Sequence, residues 1–304
     1  SWSITALADK RTIQAALLAH EEAWDFDPDI VLSGGEVAED RPDDWQLIAY
    51  LSREPDNADK QAVEALFADE PPRLQIEQMT DRDWLTESQQ RVGPIEAGRF
   101  YVHTPNHRSS DNPALRNFAI PASQAFGTGH HATTAGCLAM LTHMKRTGII
   151  ARNLADIGTG TGLLAFAAME LWPRACATAS DIDAVCEQVV IDNAAMNAVP
   201  RGPDRGQLAM VIANGMDDPQ LQMRAPYDLL IANILAGPLT ELVPDFMDAV
   251  AEGGDLLLAG LLTTQEARVR SAYRRAGFRL AKRLVRGDWS ILWLRKRNGW
   301  RRNV

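Results

Sequence analysis

The stretch Asp156-Ile157-Gly158-Thr159-Gly160-Thr161-Gly162 decides the fold. It follows a short apolar run, Asn153–Ile157, that reads as a strand, and it precedes an apolar run at 163–172 that reads as a helix. Glycines at such a junction let the backbone turn tightly and let a ligand approach without a Cβ in the way. In an open α/β sheet the junction lies at the carboxyl edge of the strands, where ligands bind. Asp181 stands 23 residues after Gly158, at the end of the next strand expected, Cys176–Asp181. A carboxylate there is placed to accept hydrogen bonds from both ribose hydroxyls of a nucleoside.

Outward from this loop the chain alternates helices and buried strands. Helices are expected at 131–146, 163–172 and 184–197, and strands at 208–213 and 228–234. A helix over 239–251 is expected to bend at Pro244. The strand 255–261 is bounded by Gly253-Gly254, and Thr263-x-x-Glu266 reads as a capping box opening a helix that Gly277 closes. The strands 278–286 and 289–294 are joined by Gly287-Asp288, a hairpin signal. Five strands of βα type followed by a hairpin describe a seven-stranded doubly wound sheet with a terminal antiparallel hairpin.

The loop spacing also selects the ligand. A dinucleotide fingerprint needs Gly-x-Gly-x-x-Gly/Ala, but here the third glycine is Gly162 and Leu163 follows. No Gly-x-x-x-x-Gly-Lys-Ser/Thr phosphate loop is present. A nucleoside without phosphates fits this spacing better, which points to S-adenosyl-L-methionine.

The first part of the chain differs in charge and pattern. Residues 1–95 carry 8 Lys/Arg against 21 Asp/Glu, a net of −13, whereas residues 96–304 carry 23 against 19, a net of +4. That asymmetry argues for two modules. The first reads strand, helix, strand, strand, helix, strand, with the second strand at 29–32 followed by a turn at Ser33-Gly34-Gly35 and with Asp56 capping the second helix. This βαββαβ order is that of a ferredoxin-like α+β domain. The domains are therefore expected at 1–80 and 126–304, with a linker at 81–125 that includes one strand, 99–103. An acidic module repels nucleic acid and attracts basic partners, so no stable nucleic-acid binding is expected of the chain.

Composition narrows the class further. Three widely spaced cysteines, Cys137, Cys176 and Cys186, argue against a disulfide scaffold and for a reducing compartment, so a cytoplasmic location is expected. No apolar run reaches the length of a membrane span, no charged leader with an apolar run opens the sequence, and no Cys or His spacing suggests a metal. The basic tail 295–304 is expected to fray.

Four segments occur in a telling order: Phe126-Gly127-Thr128-Gly129-His130-His131-Ala132-Thr133-Thr134, the Asp156–Gly162 loop, Ser180-Asp181-Ile182-Asp183, and Ala232-Asn233-Ile234-Leu235-Ala236-Gly237-Pro238. Together they resemble the bacterial methyltransferases of large-subunit ribosomal protein eleven, over about residues 80–296. The resemblance implies a class I methyltransferase domain, S-adenosyl-L-methionine as donor, and transfer of methyl groups to lysine side chains and the α-amine of that basic ribosomal protein. It also implies that the ferredoxin-like domain recognises the substrate. A monomer is expected. Two departures stand out: the family often has Thr-His-Pro at His130-His131-Ala132, and Gly-Cys-Gly-Ser-Gly where this chain keeps all three glycines. The alternative is a class I methyltransferase acting on another protein, RNA or a small molecule.

The resemblance implies cofactor contacts at Thr134, Gly158, Asp181 and Asn233; Gly160 belongs to the same loop. Asn233 ends a predicted strand, where its amide oxygen can accept from an amine, which makes it the candidate catalytic residue. A turn Asn bonding its own backbone is the alternative. Thr134 near the start of the 131–146 helix suits a cap or the cofactor's charged end. Phe126 is a candidate to stack on the adenine or line the methyl-transfer channel. Asn214, in an Asn-Gly pair after the 208–213 strand, is a candidate for the adenine edge.

Overall fold

The computed structural model describes residues 2–22, 26–27, 30–38, 41–51, 53–78, 93–121 and 128–299. They form two compact units, one of residues 1–92 with 122–129 and one of residues 93–121 with 130–304.

The first unit contains β1 (Trp2–Asp9), α1 (Lys10–Glu22), β2 (Val31–Ala38), β3 (Arg41–Leu51), α2 (Asn57–Glu64) and β4 (Leu74–Gln78). The strands pair antiparallel in the order β2-β3-β1-β4, the ferredoxin-like arrangement. Alternation decides the buried face: Ile4 and Ala6 of β1 and Trp45, Leu47, Ala49 and Leu51 of β3 are buried with Ile13 and Ala16 of α1 and Val63 of α2. The Asp56 cap is present, and Asp59 returns a bond to the Asp56 N–H. The turn expected at Ser33-Gly34-Gly35 is instead the middle of β2. A Cβ on Gly34 would crowd the Leu17 side chain, so glycine there lets the strand lie close against α1.

In the second unit, β5 (Ile95–Ala97), β6 (Phe100–His103) and β7 (Arg116–Ala119) form a small sheet within the segment expected as linker. Long-range contacts account for the difference. The Asn197 side chain accepts from the Ala119 N–H and donates to the Ala119 carbonyl, both at 2.8 Å, and the Arg99 N–H bonds the Thr142 hydroxyl at 3.2 Å.

The main sheet has β8 (Asn153–Ile157), β9 (Cys176–Asp181), β10 (Leu208–Ile212), β11 (Tyr227–Asn233), β12 (Val250–Leu262), β13 (Phe278–Arg286) and β14 (Trp289–Lys296). Its order is β10-β9-β8-β11-β12-β14-β13, parallel except for the antiparallel β14 and β13. Its helices are α3 (Thr128–Arg146), α4 (Leu163–Leu171), α5 (Val185–Met196), α6 (Pro219–Arg224), α7 (Ala236–Glu241), α8 (Val243–Ala249) and α9 (Glu266–Arg275). Strands covered on both faces carry continuous apolar runs, and Leu256, Leu257 and Leu258 of β12 are all fully buried. Each such side chain stabilises the fold by roughly 1.5–3 kcal/mol relative to exposure.

Three expectations change. The helix expected over 239–251 is two helices separated at Leu242, because Pro244, which cannot donate an N–H, sits in the first turn of a new helix. The capping box does not form: Gln265 caps α9 without a side-chain bond, and the buried Glu266 carboxylate is taken by Ser290, Arg283 and Arg270. The tail expected to fray begins as strand, since β14 runs to Lys296.

Asn197→Ala would strand both backbone groups of Ala119 at a buried junction. The expected loss is about 2–3 kcal/mol, measured by urea unfolding with cofactor absent; a loss below about 0.5 kcal/mol would reject the clamp.

Candidate active site

Four neighbouring strands, β10, β9, β8 and β11, bring Asn214, Asp181, the glycine loop and Asn233 to one carboxyl edge. Gly158, Gly160 and Gly162 all have positive φ, at +70°, +54° and +84°. A Cβ on Gly158 would run into the Ile234 side chain, and one on Gly260 into the Ile234 backbone. The chain leaving β11 is therefore wedged between two glycines, and this fixes Asn233 beside the loop. In register, Ala232 pairs with Ile157, so Asn233 stands level with the start of the loop.

Asp181 is built into the loop. The Gly160 N–H donates to its Oδ2 at 2.8 Å and the Asp183 N–H to its Oδ1 at 3.1 Å. The Gly158 and Thr159 N–H groups both donate to the Ser180 carbonyl at 2.9 Å. A carboxylate has about four acceptor positions, so Asp181, which also meets the Cys186 thiol, keeps capacity for a hydroxyl donor. The Ala213 N–H donates to the Asp181 carbonyl at 2.8 Å, which holds the exposed Asn214 next to it. Asn214 also opens a turn, its carbonyl accepting from the Asp217 N–H at 3.1 Å, with Gly215 at φ +59°.

Asn233 is the most telling residue. Its Oδ1 is buried and has no hydrogen-bond partner among the described residues. A turn Asn satisfied by its own backbone would not leave that oxygen unpaired. Thr134 is buried in α3, in its second turn, because the helix begins at Thr128 rather than 131; the hydroxyl is too far along to cap it. It lies three residues before Cys137, on the same side of the helix. The Cys137 thiol is pushed up by burial and by the Asp156 carboxylate near it. Phe126 lies outside the described residues.

Sequence reasoning passed over Asp156 itself. It is the next-to-last residue of β8 and fully buried, its Oδ2 accepting from the Thr159 hydroxyl at 2.7 Å and the Ala165 N–H at 3.1 Å, while its Oδ1 has no partner among the described residues. Burial pushes its pKa up to about 7, against the two hydrogen bonds and with help from Asp181. The signal was present, an acid directly before Ile-Gly, but the glycines absorbed the reading. Two unpaired acceptor oxygens, Asp156 Oδ1 and Asn233 Oδ1, thus sit at the ends of adjacent strands.

The residues fit an adenosyl cofactor: a glycine turn for close approach, a carboxylate with spare acceptor capacity for ribose, and buried acceptors for donor groups. A sheet in this order, with this loop on its first-threaded central strand and an acid ending the next, defines a class I S-adenosyl-L-methionine-dependent methyltransferase. Residues 12–297 match the family described as ribosomal protein L11 methyltransferase (PrmA), and the chain belongs to that family. It is 37% identical over 270 residues to the ribosomal protein L11 methyltransferase of Agrobacterium fabrum, covering 88% of this chain and 90% of the relative. Against that of Rhizobium meliloti it is 36% identical over 284 residues, 92% and 94% of the two chains. The solved ribosomal protein L11 methylase of Lactobacillus delbrueckii subsp. bulgaricus superposes with a TM-score of 0.57 at 25% identity, over 68% of this chain and 99% of that one. Among the described residues no helix is long and apolar enough to cross a membrane.

Asp156 makes stability depend on pH. Unfolded, the carboxyl titrates near 3.8; folded, near 7. Between those values the folded state holds a proton that the unfolded state has lost, so this group's contribution falls as pH rises from about 4 to about 7 and is constant above. Urea unfolding of wild type and Asp156→Asn across that range should show wild type losing stability relative to the variant; parallel pH profiles would refute it.

Proposed function

We propose that the chain transfers methyl groups to amino groups of ribosomal protein L11, at lysine side chains and the α-amine. The observation that carries the reading is the buried, unpaired Asn233 Oδ1 at the carboxyl edge, beside the glycine loop. Thr134, Gly158, Gly160, Asp181, Asn214 and Asn233 are proposed to hold the cofactor, with Asn233 also meeting the acceptor nitrogen. S-adenosyl-L-methionine supplies a methyl group already activated on a sulfonium, so the protein's task is to position and desolvate. The Asn233 oxygen accepts one N–H of the amine and aims its lone pair. Ile234 and Leu235 follow it directly, and Leu235 is 51% exposed, so the rim beside Asn233 is apolar. An apolar rim disfavours the ammonium and lowers an acceptor lysine from its free pKa of about 10.4 toward the neutral, reactive form.

The first unit, with the net acidic charge of residues 1–95, is proposed to recognise the basic substrate. The chain, labelled S-adenosyl-L-methionine and unmodified ribosomal proteins should give one protein fraction with mass gains in multiples of a methyl group by intact-mass spectrometry. Label appearing in RNA or small molecules instead would overturn the reading. Asn233→Ala should lower kcat by roughly a hundredfold with the unfolding transition kept; unchanged turnover would remove Asn233 from the chemistry.

A further inference from the structure

The end of the chain is charged unlike the rest. Residues 266–304 carry 13 Lys/Arg, eleven of them Arg, against 2 Asp/Glu, a net of +11; residues 1–265 carry 18 against 38, a net of −20. The described part of this segment forms one edge of the main sheet. Helix α9 exposes Arg268, Arg274 and Arg275, and the outermost strand β13 exposes Arg279, Lys282 and Arg283.

The buried counter-charges Glu266 and Asp255 are already engaged. Glu266 holds Arg270 and Arg283, and Asp255 lies 3.5 Å from Arg295. Lys296 donates to the carbonyls of Met247 and Val250 at 2.5 and 2.7 Å. Among the described residues no ion pair reaches Arg274 or Arg279. Arg279 is paired in register with Arg295 across the antiparallel β13–β14 ladder, an arrangement of like charges that costs stability. Both line an open cleft of about 580 Å³ with Gly253, Leu280, Lys296 and Asn298.

Guarding an exposed strand edge from pairing requires charge on the outer strand alone. Here the charge continues onto the inner neighbour β14 and onto α9, and two arginines are held face to face. We infer that this edge binds the phosphate backbone of RNA. Guanidinium groups match phosphate oxygens in paired hydrogen bonds, and arginine outnumbers lysine here eleven to two. Among the described residues of the segment Tyr273, Phe278 and Trp293 are buried and Trp289 is half-buried, so the exposed groups that meet the ligand are cations suited to backbone rather than rings suited to stacking. Leu280 and Val285 are only 38% and 37% exposed, little apolar surface for a lipid interface. The acidic first module leads to the expectation that the chain binds no nucleic acid stably; this edge carries charge of the opposite sign, and the RNA binding proposed here departs from that expectation. The choice of RNA over other polyanions rests on the proposed ribosomal-protein substrate; polyanion binding itself does not.

The test is fluorescence anisotropy of a short labelled ribosomal RNA hairpin with the full chain. Affinity should fall roughly tenfold or more between 50 and 200 mM salt. The triple variant Arg274→Gln, Arg279→Gln, Lys282→Gln should bind at least about tenfold more weakly, and Arg279→Lys should fall between wild type and Arg279→Gln, since it keeps the charge and loses the paired hydrogen bonds. No anisotropy change at low salt, or equal binding by the triple variant, overturns the inference. Tighter binding to phosphatidylglycerol vesicles than to RNA also overturns it, in favour of a lipid surface. Methylation of free ribosomal protein is measured in parallel. Lost RNA binding with intact methylation defeats this inference alone, and intact RNA binding without methylation defeats the functional reading alone.

Discussion

One hydrogen bond and one steric wedge hold the carboxyl edge together. The Gly160 N–H reaches Asp181 across the gap between β8 and β9, and Ile234 is trapped between Gly158 and Gly260. The first tie joins the loop to the acid that ends the next strand. The second joins the same loop to β11 and β12. Either glycine replaced by a residue with a Cβ would have to push Ile234 away, and Asn233 with it. The positions of four strand ends are therefore one constraint, not four, and the site inherits its geometry from backbone that cannot relax independently.

Charge is divided along the chain as sharply as the fold is. The acidic residues concentrate early and the basic ones late, so that the two ends of the sequence present opposite fields. Within the second unit the Arg279–Arg295 pair of the basic edge lies well apart, along the strands, from Asn233. Arg295 pairs in register with Asp255, and Asn233 with Ala259, four residues further along β12. That is about 13 Å of strand, beyond a Debye length of about 8 Å at physiological salt. An anion held at that arginine pair thus leaves the electrostatics around Asn233 nearly unchanged.

The glycine loop, Asp181, the terminal hairpin and the βαββαβ order were legible because each is a local signal. Gly-x-Gly-x-Gly before an apolar helix has few other uses, and Gly287-Asp288 between two apolar runs dictates a hairpin. What sequence reading missed depends on distant partners. Residues 95–119 looked like connector until Asn197, 78 residues after Ala119, supplied the bonds that make β7 a strand end. Glu266 had a cap's spacing, but Ser290 and Arg283, far along the chain, outcompete a backbone N–H for its carboxylate. Ser33-Gly34-Gly35 had a turn's composition because the close approach of α1 demands the same small residues as a turn. In each case composition was read correctly and the competing tertiary contact was invisible. The candidate residues were legible as positions, but not Asp156, whose importance lies in burial that spacing does not report.

Asn233 Oδ1 and Asp156 Oδ1, both unpaired among the described residues, differ in a way that suits amine chemistry. Asn233 is neutral at every pH, and Asp156 is held toward its protonated form by burial. A fully ionised carboxylate at position 233 would attract an approaching lysine more strongly, yet it would stabilise the ammonium and raise its pKa, which withholds the lone pair the reaction needs. A carbonyl oxygen attracts the N–H without fixing the extra proton. The apolar rim of Ile234 and Leu235 acts in the same direction, penalising the charged form on approach. Attraction over long range is then best supplied away from the chemistry, by acidic surface elsewhere on the chain, and Asn233, in the role proposed for it, orients a nitrogen without protonating it.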